Sequence, residues 1–472
     1  MAQTIVSPRR VDNLARVGFD AAVSPMPSSD LRLPHPPRGA PVTLRFEGRD
    51  LPACEGESVA VALYASGERV LSRSVKYHRP RGFFCLDGHC GACLMRVGGK
   101  PNIKACLTPV KDGLAVERQN AFPSGGFDVL AAADFFFSSG MDHHTMMTSP
   151  RALNAVMQKV VRQLGGLGRL PDERPGGPPP LPAVSVRHVE VAVVGGGPAG
   201  LAAAATLARA GREVLLVDEQ DRPGGSYLAH PSFGVPAADR AADEARAAGV
   251  ELISRAAAIS WFPEDAPKPG APPGLLAVYT QAGLLELTAD RYLYATGAYD
   301  QNALFIDNDR PGVLAARAVG RLLSRFGILP GERPLVLGAG PYAQALASAL
   351  EQAGAQVTRV DGIETRLLAA KGHSWVRAAE LLAPGAKRAH RVRCDLIAVA
   401  ALPAPASELP RQHGVPVELR PQGGGFACVV DADGASAIPK VFAAGDVTGF
   451  KGPEAARTQG ERAGLALARS FS

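Results

Sequence analysis

Two stretches that each read strand, glycine-rich turn, helix, strand, with four crowded cysteines ahead of them, predict an α/β chain. It carries two Rossmann-like dinucleotide-binding folds, one inserted in the other, preceded by a small α+β ferredoxin-like domain. The first stretch is VEVAVVGGGPAGLAAAATLARAGREVLLVDEQ. The second, PLVLGAGPYAQALASALEQAGAQVTRVDG from Pro334 to Gly362, keeps the same offset from first glycine to acidic residue, Gly195 to Asp218 and Gly338 to Asp361. That order of elements is what a βαβ unit requires, and its recurrence marks one fold inside another. The length of 472 residues allows about three domains. A content of 46% apolar and 20% charged residues excludes wholesale disorder, collagen-like and coiled-coil architectures.

Residues 1–40 are polar and Pro-rich and form an arm without a core of its own. Residues 41–120 are the ferredoxin-like domain. There VTLRF alternates, EGRD supplies a turn, SVAVALYAS has helical spacing, and KDGLAVERQ closes the unit after the cysteines. Residues 121–187 hold a connecting helical segment, SPRALNAVMQKVVRQLGGLG, and the linker PDERPGGPPPLP, whose prolines remove backbone donors. The first dinucleotide domain takes residues 188–300 and 385–472, and the second is the insert 301–384. Pro263 to Pro273 reads as a surface loop.

Cys85, Cys90, Cys93 and Cys106 have the spacing C-x4-C-x2-C-x12-C. Plant-type ferredoxins use C-x4-C-x2-C to converge three thiolates on a 2Fe-2S cluster from one loop, with a fourth from a later strand. Gly88 and Gly91 give such a loop its backbone freedom, and its amides can donate to sulfur. A zinc knuckle would want two separated CxxC pairs where only one short pair exists, and unmetallated thiols are the third alternative. His89 reads as a bystander, since a Rieske site needs two histidines in place of two cysteines.

In the first fingerprint Gly195 makes the turn, Gly197 lets backbone approach a pyrophosphate, and Gly200 permits close helix packing. Pro198 and Ala199 open the helix whose N-terminus favours negative charge. Asp218 is the expected ribose acceptor, and Glu219, one step on, is the lesser candidate. Gly224, Gly225 and Ser226, then Thr296 and Gly297 of YATGAYD, then Gly445 and Asp446 of FAAGDVTGF complete the candidate cofactor-binding set. The second fingerprint, Gly338, Gly340 and Asp361, is weaker, because Ala343 replaces the third glycine and Tyr342 crowds the turn. If filled, Asp361 would favour NAD over NADP.

The remaining features prune the field. The formal net charge of +6 is spread without a basic run, so no nucleic-acid partner is expected. The apolar stretch Val191 to Ala208 is broken by GGGPAG and reads as strand, turn and helix rather than a membrane span. Arg9-Arg10 lack a following apolar region, which places the protein in the cytoplasm. Cys54, Cys394 and Cys428 form no dithiol motif, and no GxSxG, HExxH or P-loop string occurs. His143-His144 reads as surface or interface. The string Lys76-Tyr77-His78-Arg79-Pro80-Arg81-Gly82 is either a solvated turn or a clamp on a flavin phosphate or a partner.

The strings LSRSVKYHRPRG, KPNIKACLTPV, VVGGGPAGLAAA, VLLVDEQDRPGGS, YATGAYDQ, RPGVLAARAV and AAGDVTGF resemble α subunits of heterotetrameric sarcosine oxidase and related multisubunit amine dehydrogenases. Opine oxidases, hydroxyproline and proline dehydrogenases and hydrogen cyanide synthase belong to that group. The resemblance implies an electron-transferring subunit beside a β subunit whose own FAD oxidises a secondary amine, with further small subunits in some complexes. It implies FAD in the first fingerprint, or NAD or ATP in the same site, and an FMN at the subunit interface. Catalytic residues would lie on the partner. Sarcosine oxidase α chains lack the cluster cysteines, so their presence here favours a dehydrogenase over an oxidase. The chain ends at Ser472 without the folate-binding aminomethyltransferase domain or cysteine-rich module of its relatives, so one-carbon transfer to folate is not expected. A stand-alone NADH-dependent reductase with a fused ferredoxin domain, and a scaffold with inert nucleotide, are the alternatives.

Overall fold

The computed structural model describes residues 30–34, 38–74, 78–121, 128, 181–263 and 274–471. The arm, most of the connecting segment, His143-His144, Lys76 and Tyr77, and the Pro-rich loop therefore lie outside the described residues, wholly or in large part. Among the described residues no helix is long and apolar enough to cross a membrane.

The ferredoxin-like domain is a mixed five-stranded sheet in the order Arg49–Cys54, Pro41–Phe46, Ala115–Glu117, Leu94–Val97, Lys100–Lys104. The hairpin Pro41–Phe46 with Arg49–Cys54 turns at Glu47 and Gly48, and the closing strand returns parallel to its first arm. Helix Val59–Ala65 follows, with Ser58 as N-cap accepting from the Val61 amide at 3.4 Å. All seven helical residues are buried. A helix apolar all round needs cover on both sides, and the second side is the inserted domain. Leu44, Phe46, Leu63 and Met95 share one core with Leu314, Val319, Leu322 and Leu346. The Tyr64 hydroxyl donates to Pro330 O at 2.6 Å, and the Ala315 amide donates to Phe84 O at 3.0 Å.

The first dinucleotide domain centres on strand Val184–Val194, which starts inside the segment the sequence assigned to the linker. Its parallel neighbours are Val214–Asp218 and Gly283–Tyr294, with Glu251–Ser254 beyond the former and Val441–Ala443 beside the latter. Buried on both faces, Val214–Asp218 and the end of the central strand, Val191 to Val194, read as continuous apolar runs. Helices Pro198–Arg209 and Pro453–Arg469 cover one face, packed so closely at Gly460 that a Cβ there would strike the Ala199 backbone.

The inserted domain holds a four-stranded parallel sheet in the order Val313–Ala315, Leu396–Val399, Pro334–Leu337, Thr358–Val360. Here the boundary expected at residue 385 moves. Leu396–Val399 pairs with Pro334–Leu337 and Val313–Ala315, so the insert runs past it. LIAV is apolar at every position, and nothing in its pattern ties it to one sheet or the other.

Candidate functional site

Three of the four cluster cysteines are buried, and Cys90 is exposed. They come together as two pairs, Cys85 with Cys90 and Cys93 with Cys106, each linked thiol to thiol. Within each pair one thiol is held below its usual range by the other. The hydrogen bond from Cys85 brings Cys90 down to about 5, and that from Cys106 lowers Cys93. Among the described residues no three His, Cys, Asp or Glu side chains group around a single point. Two thiolate pairs suit a cluster of two irons, whereas a lone tetrahedral ion wants all its ligands around one centre. The Cys90 amide donates to Cys85 Sγ at 3.4 Å, as the tight loop predicts. Gly88, at φ +84°, sits against the Leu107 side chain in a conformation that favours glycine, and Lys104 Nζ donates to its carbonyl at 2.6 Å.

The first fingerprint forms a pocket. Gly195, at φ +104°, turns the chain under Ala295, and Pro198 at the first helical position leaves the helix N-terminus facing the cavity. Gly195, Gly197, Pro198, Ala199, Asp218, Glu219, Gly225, Ser226, Thr296, Gly297, Gly445 and Asp446 all line this cavity. Gly200 lies behind it with no room for a Cβ beside Gly195 O, and Gly224 packs on Ala238. Thr296 Oγ1 donates to Ala406 O at 2.7 Å, and Asp446 Oδ1 accepts from the Lys451 amide at 2.9 Å, which fixes the turn after the last strand. Asp218 is buried, and its two oxygens accept from Gly196 N at 2.5 Å and Gln220 N at 2.8 Å. Burial pushes its carboxyl up to about 6 despite those amides.

The cluster loop forms part of the same cavity. Asp87 and His89 line it beside Glu219 and Tyr299. Arg321 Nη2 donates to Asp87 Oδ2 at 2.6 Å and its Nη1 to Cys85 O at 3.2 Å, while Gln220 Nε2 donates to Asp87 O at 3.3 Å. Burial pushes the Asp87 carboxyl up, but Arg321, His89, Arg317 and Arg325 together outweigh it and hold the group below the usual range. All three domains meet at this loop.

The second fingerprint is built differently. Gly340 caps helix Pro341–Gln352, with Pro341 at its first position, and Gly338 makes the turn before it. The Tyr342 hydroxyl donates across the domain boundary to Ala229 O at 2.6 Å. Asp361 spends one oxygen on the amides of Thr365 and Ile363, both at 3.0 Å, which hold its carboxyl below the usual range. A second cavity, between the two dinucleotide folds, is lined by Gly340, Tyr342, Asp300 and Lys451, and Arg317 lines both cavities. Arg317 is buried with its Nε on Asp300 Oδ1 at 2.6 Å.

Residues 39–121 match the 2Fe-2S iron-sulfur cluster binding domain family, and residues 189–383 match the pyridine nucleotide-disulphide oxidoreductase family. Over 346 residues the chain is 34% identical to sarcosine oxidase subunit alpha of Rhizobium meliloti (strain 1021), a match covering 68% of this chain and 34% of that protein. Another 81-residue match, 36% identical, covers 17% of this chain and 77% of hydrogen cyanide synthase subunit HcnA of Pseudomonas aeruginosa. The chain belongs to the sarcosine oxidase α-subunit family, with a fused 2Fe-2S domain. As a member of that oxidoreductase family it pairs a 2Fe-2S cluster with FAD, and the two thiol pairs and the open first fingerprint fit those groups. It spans about a third of the length of the sarcosine oxidase α subunits it matches. The fold is shared with L-proline dehydrogenase from P. horikoshii, at a TM-score of 0.69 and 23% identity over 94% of this chain and 75% of that one.

Sequence reasoning missed Arg321, Asp87, Tyr299 and the part played by His89. The family string RPGVLAARAV contains Arg317, and Arg321 follows one turn later on helix Ala316–Ser324, so the two project from one face. Two buried arginines on an otherwise apolar helix were the available signal. His78 and Arg81 of the basic string are engaged in pairs, His78 with Asp128 at 3.0 Å and Arg81 with Asp309 at 2.7 Å.

Proposed function

We propose that this chain is the electron-transferring α subunit of a multisubunit amine or amino-acid dehydrogenase. In this reading a secondary amine such as proline, hydroxyproline, sarcosine or an opine is oxidised on a partner subunit carrying its own FAD. The electrons leave through this chain by way of the cluster. A flavin handles electrons in pairs and a 2Fe-2S cluster singly, so the cluster gives the complex a one-electron outlet. An FMN at the interface with the partner, further small subunits and a cytoplasmic location complete the proposal. The observation that carries it is the cluster loop standing as a wall of the nucleotide pocket, with Asp87 and His89 beside Glu219. That contact supports short-range passage of electrons between the two sites.

The test is reconstitution. The purified chain should oxidise amines poorly, and adding the partner subunit should give robust turnover; strong amine oxidation by the chain alone would sink the reading. Mixing with NADH in a stopped-flow instrument should leave the flavin absorbance unchanged, because Tyr342 is bonded across the domain boundary and Asp361 is engaged by its own loop. Rapid bleaching would instead support a stand-alone reductase.

A further inference from the structure

Asp218 occupies the position where a ribose acceptor is expected, yet it is buried and each of its oxygens already accepts a backbone amide, from Gly196 and from Gln220. Its neighbour, which lines the same cavity, differs in exposure and in its partner. Glu219 is about half exposed, lines the nucleotide cavity, and has its Oε1 3.3 Å from His89 Nε2. His89 sits between Gly88 and Cys90 on the cluster loop, tilted against the Tyr299 ring at 4.7 Å between centroids. The loop is fixed from beneath by Arg321 on Asp87 and Cys85 O. Strand alternation, which turns Glu219 away from a ribose packed on Asp218, ends at Asp218, the last residue of its strand. Beyond it the backbone is free to aim Glu219 into the cavity.

We propose that Glu219, held in place by His89 of the cluster loop, reads the ribose of the nucleotide in the first pocket, so that the cluster loop is itself part of the nucleotide site. This rests on the pocket holding an adenine nucleotide, the moiety common to FAD, NAD and ATP. A carboxylate there accepts from a free 2'-hydroxyl and repels a 2'-phosphate. Glu219 is then a specificity-determining residue and His89 a positioning residue, and filling the pocket moves the hydrogen-bonding surroundings of the loop that carries Cys85 and Cys90. Such surroundings tune a metal centre.

The experiment uses the full chain with its cluster intact and its nucleotide removed, titrated with ADP and with 2'-phosphorylated ADP. The wild-type chain should prefer ADP. Glu219→Gln should weaken ADP by about tenfold and erase the preference, since a charge-assisted hydrogen bond and a repulsion are both lost. Asp218→Asn should keep the preference. ADP should also shift the EPR spectrum of the reduced cluster in the wild type, and this shift should vanish in His89→Ala. Retained discrimination in Glu219→Gln with its loss in Asp218→Asn would overturn the proposal, as would an EPR spectrum indifferent to ADP. Failure of the wild-type chain to bind ADP would instead remove the nucleotide reading on which the proposal stands.

Discussion

The two glycine-rich turns are near copies in sequence, and each lines a cavity, but the structure walls them differently. The first opens onto a cavity: its glycines are close-packed behind, its helix N-terminus faces the space, and another domain supplies a wall. At the second, Tyr342 carries its hydroxyl across to Ala229 O, and the surrounding sheet shares its core with the cluster domain. The acids differ likewise, Asp218 buried beneath the turn and Asp361 half-buried on a loop it caps itself. A fingerprint thus fixes the turn, and what packs on the far side of the turn differs between the two.

The comparison breaks most sharply at the glycines. A methyl at Gly200 would collide with Gly195 O, whereas Gly340 has open space around it. Gly200→Ala should lose bound FAD and cost about 2–3 kcal/mol of stability, while Gly340→Ala should keep both, as read by chromatography of released nucleotide and thermal melts. FAD loss in Gly340→Ala alone would exchange the roles of the two turns.

The acids come next. Burial raises Asp218 from 3.8 to about 6, so in the nucleotide-free chain it favours the fold when protonated. That contribution, up to about 3 kcal/mol, is full below about pH 4 and lost as the pH rises past about 6. Melts of wild type and Asp218→Asn should therefore agree best at low pH, where both side chains are neutral, and separate as the pH rises through that window, and parallel curves would contradict a buried carboxyl. Tyr342→Phe leaves Ala229 O without this donor and should cost about 1 kcal/mol in denaturant titrations with FAD content intact. Asp361→Asn should change neither FAD content nor the absent response to NADH; a gain or loss of NADH reactivity would show that the second turn is in use.

Much of this was legible because it was local. Cysteine spacing, a glycine turn after an apolar strand and an acid at the next strand end are short-range requirements, and the structure puts Cys85 to Cys106 and Gly195 to Asp218 where those requirements lead. What was not legible was relational. Nothing in the string around His89 says that Glu219 stands 3.3 Å away, and nothing in Arg321 says that its partners are Cys85 O and Asp87. Both arise from the cluster loop packing against the two dinucleotide folds, which no local pattern reports. The insert boundary failed for the same reason, since LIAV carries no mark of which sheet will claim it.

The core shared by Leu44, Phe46, Leu63, Val319 and Leu346 sets the terms on which this cluster meets the outside. A free ferredoxin finds its donor by diffusion, so electron flow depends on its concentration and on a fresh docking at each turn. Built into the flavoprotein, the cluster has a stoichiometry of one and an encounter that never has to be repeated. Under the proposed electron-transfer role, a mobile acceptor would meet the loop on the side where Cys90 and Leu107 reach the surface.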